Sequence, residues 1–309
     1  RSAGLRTAVL IGGLSLGPQV QTLSRNPHII IATPGRLIDH LEQKTLHLAE
    51  VKIVILDEAD RMLDMGFAPQ IQKIFRALPK DRQTMLFSAT MPQEIMKIAA
   101  GHMKLPVRVE IAPTGTTSER VTQELFIVQG DQKIRLLKNL LERYRGSVLV
   151  FTRTKYGARN VVHKIRAMGM GAAEIHSNRS LAQRREALDG FKSGKYRVLV
   201  ATDIASRGID VKGIELVLNY DLPSSSDDYV HRIGRTARAG AGGHAITFAM
   251  PNQRNEVRAI ERLIRKTLPV LELPELPVLH LPEISRSPYQ DAHTRGRMPY
   301  RGRGNYRGR

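Results

Sequence analysis

Short β-branched runs alternating with amphipathic helical stretches constrain this chain more than any other feature. In its first third, strand-like runs fall at Thr7–Ile11, His28–Ala32, Val51–Leu56, Thr84–Phe87 and Val107–Ile111. Helical patterns separate them around Leu37–Leu41, Pro69–Leu78 and Pro92–Ala100, and Thr33-Pro34 suits an N-cap and first helical residue. A second series places strands at Glu124–Val128, Ser147–Phe151, Ala172–Ile175, Arg197–Ala201, Ile214–Asn219 and His244–Ala249, with helices such as Lys133–Arg143 and Gln253–Lys266. Alternation of this kind predicts parallel sheets with helices on both faces. Between the two series, residues 112–121 carry Pro113, Gly115 and three threonines and read as a linker. The expected organisation is therefore an α/β unit over 1–111 and a second over 122–267.

Two segments follow. Four Leu-Pro steps between 268 and 284 forbid a helix and predict an extended strap packed on a domain surface. Residues 285–309 hold seven arginines against one acid, with recurrent Arg-Gly steps and Tyr289, Tyr300 and Tyr306. A segment of that composition buries no core and is expected to be a disordered basic tail. It suits either single-stranded RNA, through phosphate contact and base stacking, or a solubilising role.

The net charge of +19 points to a polyanionic partner. With no cysteine, the chain has no disulfide, thiolate zinc site or cysteine nucleophile, which fits a cytoplasmic setting. No apolar run is long enough for a membrane helix, so no membrane partner is expected.

Chemistry concentrates where strands end. The run Val51–Leu56 stops on Asp57-Glu58-Ala59-Asp60, and in open α/β sheets ligands gather beyond the carboxyl ends of strands. Asp57 is placed to hold Mg²⁺ directly or through its waters, and Glu58 to orient or deprotonate an attacking water, although a solvated acidic loop has the same spelling. Further on, Arg232, Arg235 and Arg238 recur every third residue. On a helix they would form a single-sided row that clamps phosphate, or an ordinary solvated basic face.

Seven elements fall in one order: Gly12-Gly13, Thr33-Pro34-Gly35-Arg36, Asp57-Glu58-Ala59-Asp60, Ser88-Ala89-Thr90, Phe151-Thr152-Arg153, Thr202 to Asp210, and His231 to Gly240. In that order, from Gly12 to about residue 266, the chain resembles the DEAD-box RNA helicases. The resemblance implies two RecA-like domains, parallel sheets flanked by helices, using ATP and Mg²⁺ on RNA. It implies Asp57 at the metal, Glu58 as base for the hydrolytic water, and Arg235 and Arg238 as fingers for the γ-phosphate. Gly208 and Asp210 would hold nucleotide, while Asp60, Ser88, Thr90 and His231 would link the ATP and RNA sites. Gly13, Thr33, Gly35, Arg36, Arg153, Arg184 and Thr202 would grip the RNA backbone with little sequence preference. Ribosome-assembly or RNA-decay factors are the expected protein partners.

Departures from the family pattern set further expectations. No Gly-x-x-x-x-Gly-Lys-Thr/Ser occurs in the 309 residues, the nearest string being Gly190–Lys195 before Tyr196. The first domain is accordingly expected to be incomplete, without its central first strand, and the chain inactive as an ATPase by itself. Ala237 stands where the family usually has glycine, Ser206 where alanine is usual, and Leu181 at a glutamine position beside Gln183. The rival readings are a non-catalytic RNA-binding module and a DNA-directed helicase.

Overall fold

A computed structural model of the chain describes residues 4–109, 121–203, 211, 213–237, 242–276 and 278. By proximity the chain divides into two units. One comprises Arg1–Val121 with Ser225–Gly234 and Asn255–Thr267; the other comprises Thr122–Ser224, Arg235–Arg254 and the chain from Leu268.

The first unit runs β1 (Thr7–Leu10), α1 (Leu16–Leu23), β2 (Ile29–Ala32), α2 (Pro34–Glu42), β3 (Ile53–Leu56), α3 (Ala59–Asp64), α4 (Ala68–Ala77), β4 (Gln83–Leu86) and α5 (Gln93–His102). β1 pairs with β2 and β3 with β4, both in parallel, yet the two ladders remain separate two-stranded sheets. One face of each is covered: Ala8, Leu10 and Leu23 form one small core, and Leu56, Ile71, Phe75 and Ile95 another. The alternate residues face solvent, with Ile31 56% and Ile53 55% exposed. Sheets of this apolarity are normally buried on both sides, and among the described residues these outer faces are left uncovered.

The second sheet draws on β5 (Val121–Ile127), β6 (Ser147–Phe151), β7 (Ala172–Ile175), β8 (Val198–Ala201), β9 (Ile214–Asn219), β10 (Gly243–Ala249) and β11 (Val270–Leu271). Interleaved with them are α6 (Lys133–Arg143), α7 (Lys155–Ala167), α8 (Leu181–Lys192), α9 (Ser226–Ile233) and α10 (Arg254–Ile264). Strand order is β11-β5-β10-β9-β6-β8-β7. Along β6, Val148 and Val150 enter the core with Leu137, Val198 and Phe248, while Leu149 and Phe151 enter the opposite one with Phe191 and Val217. Burial on both faces is what a near-continuous apolar run in a parallel strand requires. Burying each of these side chains contributes about 1.5–3 kcal/mol.

Three expectations need correction or placement. Residues 107–109 form no strand, and Val107 is 86% exposed: no neighbouring strand among the described residues satisfies a ladder there. Val121 opens β5 rather than closing the linker, whose other residues, 112–120, lie outside the described set. The start of the Leu-Pro strap finds a surface, because β11 pairs in parallel with β5, Leu125 N–H donates to Pro269 O at 2.9 Å, and Leu268 is buried; residues 277 and 279–284 of the strap lie outside the described residues. The tail over 285–309 lies outside the described residues.

Candidate functional site

At the end of β3, two bonds continue the ladder past both strands. Phe87 N–H donates to Leu56 O at 2.8 Å, and Ala59 N–H donates to Phe87 O at 3.0 Å. The acidic run and Ser88–Thr90 therefore leave the sheet side by side. Asp57 is exposed, and its Oδ1 accepts the Glu58 N–H at 3.0 Å. Glu58, half-buried, adopts a left-handed backbone at φ 50°, ψ 49°. A β-carbon there costs about 1–2 kcal/mol, and strain of this kind gathers at functional sites.

Asp60 is only 5% exposed and organises the loop pair. Its Oδ1 accepts the Arg61 N–H at 2.8 Å, and its Oδ2 accepts both Thr90 N–H at 3.0 Å and Thr90 Oγ1–H at 3.1 Å. Ser88 Oγ accepts the Asp60 N–H at 3.1 Å and donates to Thr90 O at 2.7 Å. His231 Nε2 stands 3.5 Å from Asp60 Oδ2, within the same unit. Burial alone would raise the Asp60 carboxyl, but His231 and the backbone N–H groups of Arg61 and Thr90 outweigh it and hold the group well below the usual carboxylate range. All four residues assigned to the coupling link thus meet in one hydrogen-bonded cluster.

A second constellation forms where β1 and β2 end, their register placing Leu10 opposite Ala32. Gly13 turns the chain at φ 78°, a conformation open to glycine at little cost. Thr33 occupies the N-cap of α2 with Pro34 next, but its hydroxyl makes no capping bond. Gly35 and Arg36 lie in the first turn. The Arg36 guanidinium donates to Leu14 O at 2.9 Å and to Asp39 at 3.2 Å, tying the glycine turn to α2.

In the second unit Arg153 and Thr202 follow the paired ends of β6 and β8. Arg153 is held by Asp221, which accepts its backbone N–H at 3.1 Å and also takes Lys133 Nζ at 2.8 Å. Arg184 sits in the first turns of α8, where its Nε is buried without a hydrogen-bond partner. Nearby Gln183 is committed to a capping box with Ser180, so it does not substitute for the glutamine that Leu181 replaces.

The arginine row is corrected. α9 ends at Ile233 with Gly234 as its C-cap, Arg232 is buried to 2% exposure, and Arg235 lies beyond the helix. Arg232 and Arg235 therefore do not share one exposed helical face, because Gly234 breaks the period. Ala237 takes φ 55°, the left-handed region glycine would occupy freely. Its neighbour Thr236 donates to Ile214 O at 2.6 Å and anchors the segment to β9. Gly208, Asp210 and Arg238 lie outside the described residues.

Sequence reasoning missed the polar core beneath the glycine turn. Buried His40 contacts Thr45 Oγ1 at 2.8 Å and Gln19 Oε1 at 3.3 Å, while Gln19 Nε2 donates to Ile11 O and Ser15 O. Burial, with Arg36 second, lowers the His40 pKa and keeps the ring neutral. The available signal was a histidine and a glutamine at core-facing positions of otherwise amphipathic helices.

Two family models match: DEAD/DEAH box helicase over residues 1–98 and helicase conserved C-terminal domain over 132–240. The chain is 40% identical over 275 residues to the ATP-dependent rRNA helicase RRP3 of Candida albicans, covering 88% of this chain and 52% of that protein. It is 42% identical over 273 residues to the ATP-dependent RNA helicase dbp2 of Neurospora crassa, covering 86% and 49%. It therefore spans about half the length of the helicases it matches. Among solved structures, Saccharomyces cerevisiae Dbp5 bound to RNA and ADP BeF3 superposes with a TM-score of 0.77 at 29% identity, covering 86% of this chain and 70% of that one. A DEAD box protein from Methanococcus jannaschii gives 0.51 at 38% identity, covering 87% and 73%. With these likenesses added to the Asp-Glu-Ala-Asp strand end and its Ser-Ala-Thr partner, the chain belongs to the DEAD-box helicase family.

Proposed function

We propose that the protein is an ATP-dependent RNA helicase that separates short RNA duplexes locally, through ATP-driven closure of two RecA-like domains. The observation that carries this reading is the Asp60 cluster, which fixes Ser88, Thr90 and His231 directly behind the strained Glu58. Such a cluster couples the acidic loop to neighbouring segments. In this reading Glu58 takes the proton of the attacking water, a role worth about 10²–10⁴ in rate. Asp57 fits an outer-sphere magnesium site, being exposed and all-oxygen with Oδ2 left open. Mg²⁺ keeps most of its waters, so it needs no three-ligand protein cluster, and none occurs among the described residues. The ion supplies neutralisation of phosphate charge.

Arg235 and Arg238 would stabilise charge on the transferring phosphate, while Gly208 and Asp210 would hold the nucleotide. Gly13, Thr33, Gly35, Arg36, Arg153, Arg184 and Thr202 would bind the RNA backbone, leaving sequence largely unread. ATP and RNA would act together by favouring the same closed state. The rRNA helicase among the relatives supports ribosome-assembly factors as partners; RNA-decay factors are the other class, in a cytoplasmic setting.

A second reading concerns the 309 residues by themselves. They contain no phosphate-cradling loop, which favours RNA binding without ATP turnover. The test is Glu58→Gln in the intact protein. RNA-stimulated phosphate release should vanish while ATP-dependent RNA binding persists; undiminished turnover removes Glu58 from its role. Deleting residues 285–309 and measuring RNA affinity at two salt concentrations separates the readings further. A pure binding module loses most of its affinity and shows no response to nucleotide.

A further inference from the structure

The second unit carries a recess of about 400 Å³ at the N-terminal ends of its strands. Leu141, Met168 and Met170 line it, with Lys138, Arg145, Arg197 and one acid, Glu142, around them. Arg197 directly precedes β8 and is clamped in place: Nη1 donates to Leu141 O at 2.9 Å and Tyr144 O at 3.0 Å, closing the end of α6, and Nη2 donates to Met170 Sδ at 2.8 Å. Two of its five N–H groups remain unused. Arg145 is exposed and has no acidic partner among the described residues. Burial first, and the nearby Arg145 charge second, weaken the hold of Arg197 on its proton, while the Glu215 carboxylate offsets part of this; the two guanidiniums repel each other, and a further anion beside them would relieve that repulsion. The nearby acids are already engaged. Glu142 pairs with Lys138 at 3.7 Å, and Glu215 accepts the Gly146 N–H at 2.5 Å.

We propose that this recess is a docking pocket for an acidic peptide segment that inserts one apolar side chain. Charge complementarity selects the acidic residues, which would meet Arg145 and the free N–H groups of Arg197. The methionines select the apolar side chain, since unbranched thioethers reshape around aliphatic or aromatic groups. A nucleic acid backbone has no use for an apolar floor. The pocket also lies at the opposite end of β6 from Arg153, a separation of about 15 Å for a five-residue strand. Its residues all belong to one unit, so the inference is independent of the helicase reading.

The probe is a short fluorescein-labelled peptide of Asp and Glu with one Leu and one Phe, titrated into the 309-residue chain. Methionine-methyl NMR on the same complex reports the floor directly. Expected results are shifts at the Met168 and Met170 methyls, and affinity weakened about tenfold by Arg145→Glu and several-fold by Met168→Ala. Far-UV circular dichroism verifies that each variant is folded. Three results overturn the proposal: methyl resonances that stay still, equal affinity for a peptide with Leu and Phe replaced by Ser, or oligo(U) that shifts the same methyls as strongly. The second would mean diffuse attraction to the basic chain; the third would mean a nucleic-acid surface.

Discussion

Asp60→Asn tests the cluster behind Glu58 with a near-isosteric change. The carboxylate accepts three hydrogen bonds from Arg61 and Thr90, one at Oδ1 and two at Oδ2, and His231 Nε2 stands a further 3.5 Å from Oδ2. An amide retains one oxygen and turns its NH₂ toward the Thr90 donors, if the oxygen keeps Arg61. Two bonds to a charged acceptor are lost, at about 1.5–3 kcal/mol each. The lower desolvation cost of an amide offsets part of that, leaving a net loss of about 2–4 kcal/mol. Amide hydrogen exchange, which reads Arg61 and Thr90 one by one, is the assay. Protection at the Arg61 and Thr90 N–H groups should fall about 30- to 1,000-fold, at 1.4 kcal/mol per decade. The pH dependence has a definite sign. Because the folded pKa of Asp60 is depressed, its contribution is complete above the unfolded value of about 4 and is lost as pH falls below it toward the folded value. The variant should lack that acid-sensitive limb. Protection unchanged at Arg61 and Thr90, or an identical acid limb, would refute the account of the cluster.

Ala237→Gly should stabilise the second unit by about 1 kcal/mol in urea unfolding, because glycine relieves the positive φ; a loss of stability would show that the methyl packs usefully. His40→Leu should cost about 1–3 kcal/mol by leaving buried Gln19 and Thr45 short of a partner, with exchange quickening along α1 and α2; unchanged exchange would make that network dispensable. Arg36→Ala should free the glycine turn from α2 and weaken oligo(U) binding by about 1–2 kcal/mol; equal affinity would remove this constellation from the RNA surface.

Strands were legible wherever β-branched residues clustered, since buried parallel strands demand apolarity on both faces. Position within a sheet was less so. The Leu-Pro spacing showed that residues after 267 are extended, but pairing of β11 with β5 depends on an edge contributed from more than a hundred residues earlier. The run at 107–109 shows the converse, because among the described residues no strand neighbours it and its apolar spelling makes no ladder. At the site, the acidic spelling located Asp57 to Asp60, yet no local rule announces the left-handed backbone of Glu58. The three-residue arginine period misled because Gly234 closes α9 between Arg232 and Arg235. His40 was invisible as a network member, since its partners come from another helix and a following loop.

In the proposed function the acidic strand end is a hydrolytic site, and these 309 residues contain no phosphate-cradling loop to complete it. The direct measurement is phosphate release from ATP by the 309-residue chain with saturating oligo(U), beside its Glu58→Gln variant, with RNA binding recorded on the same samples. RNA binding by both is expected, with phosphate release indistinguishable between them. RNA-stimulated release that Glu58→Gln abolishes would contradict it, by showing that the chain completes the site with residues not recognised as doing so.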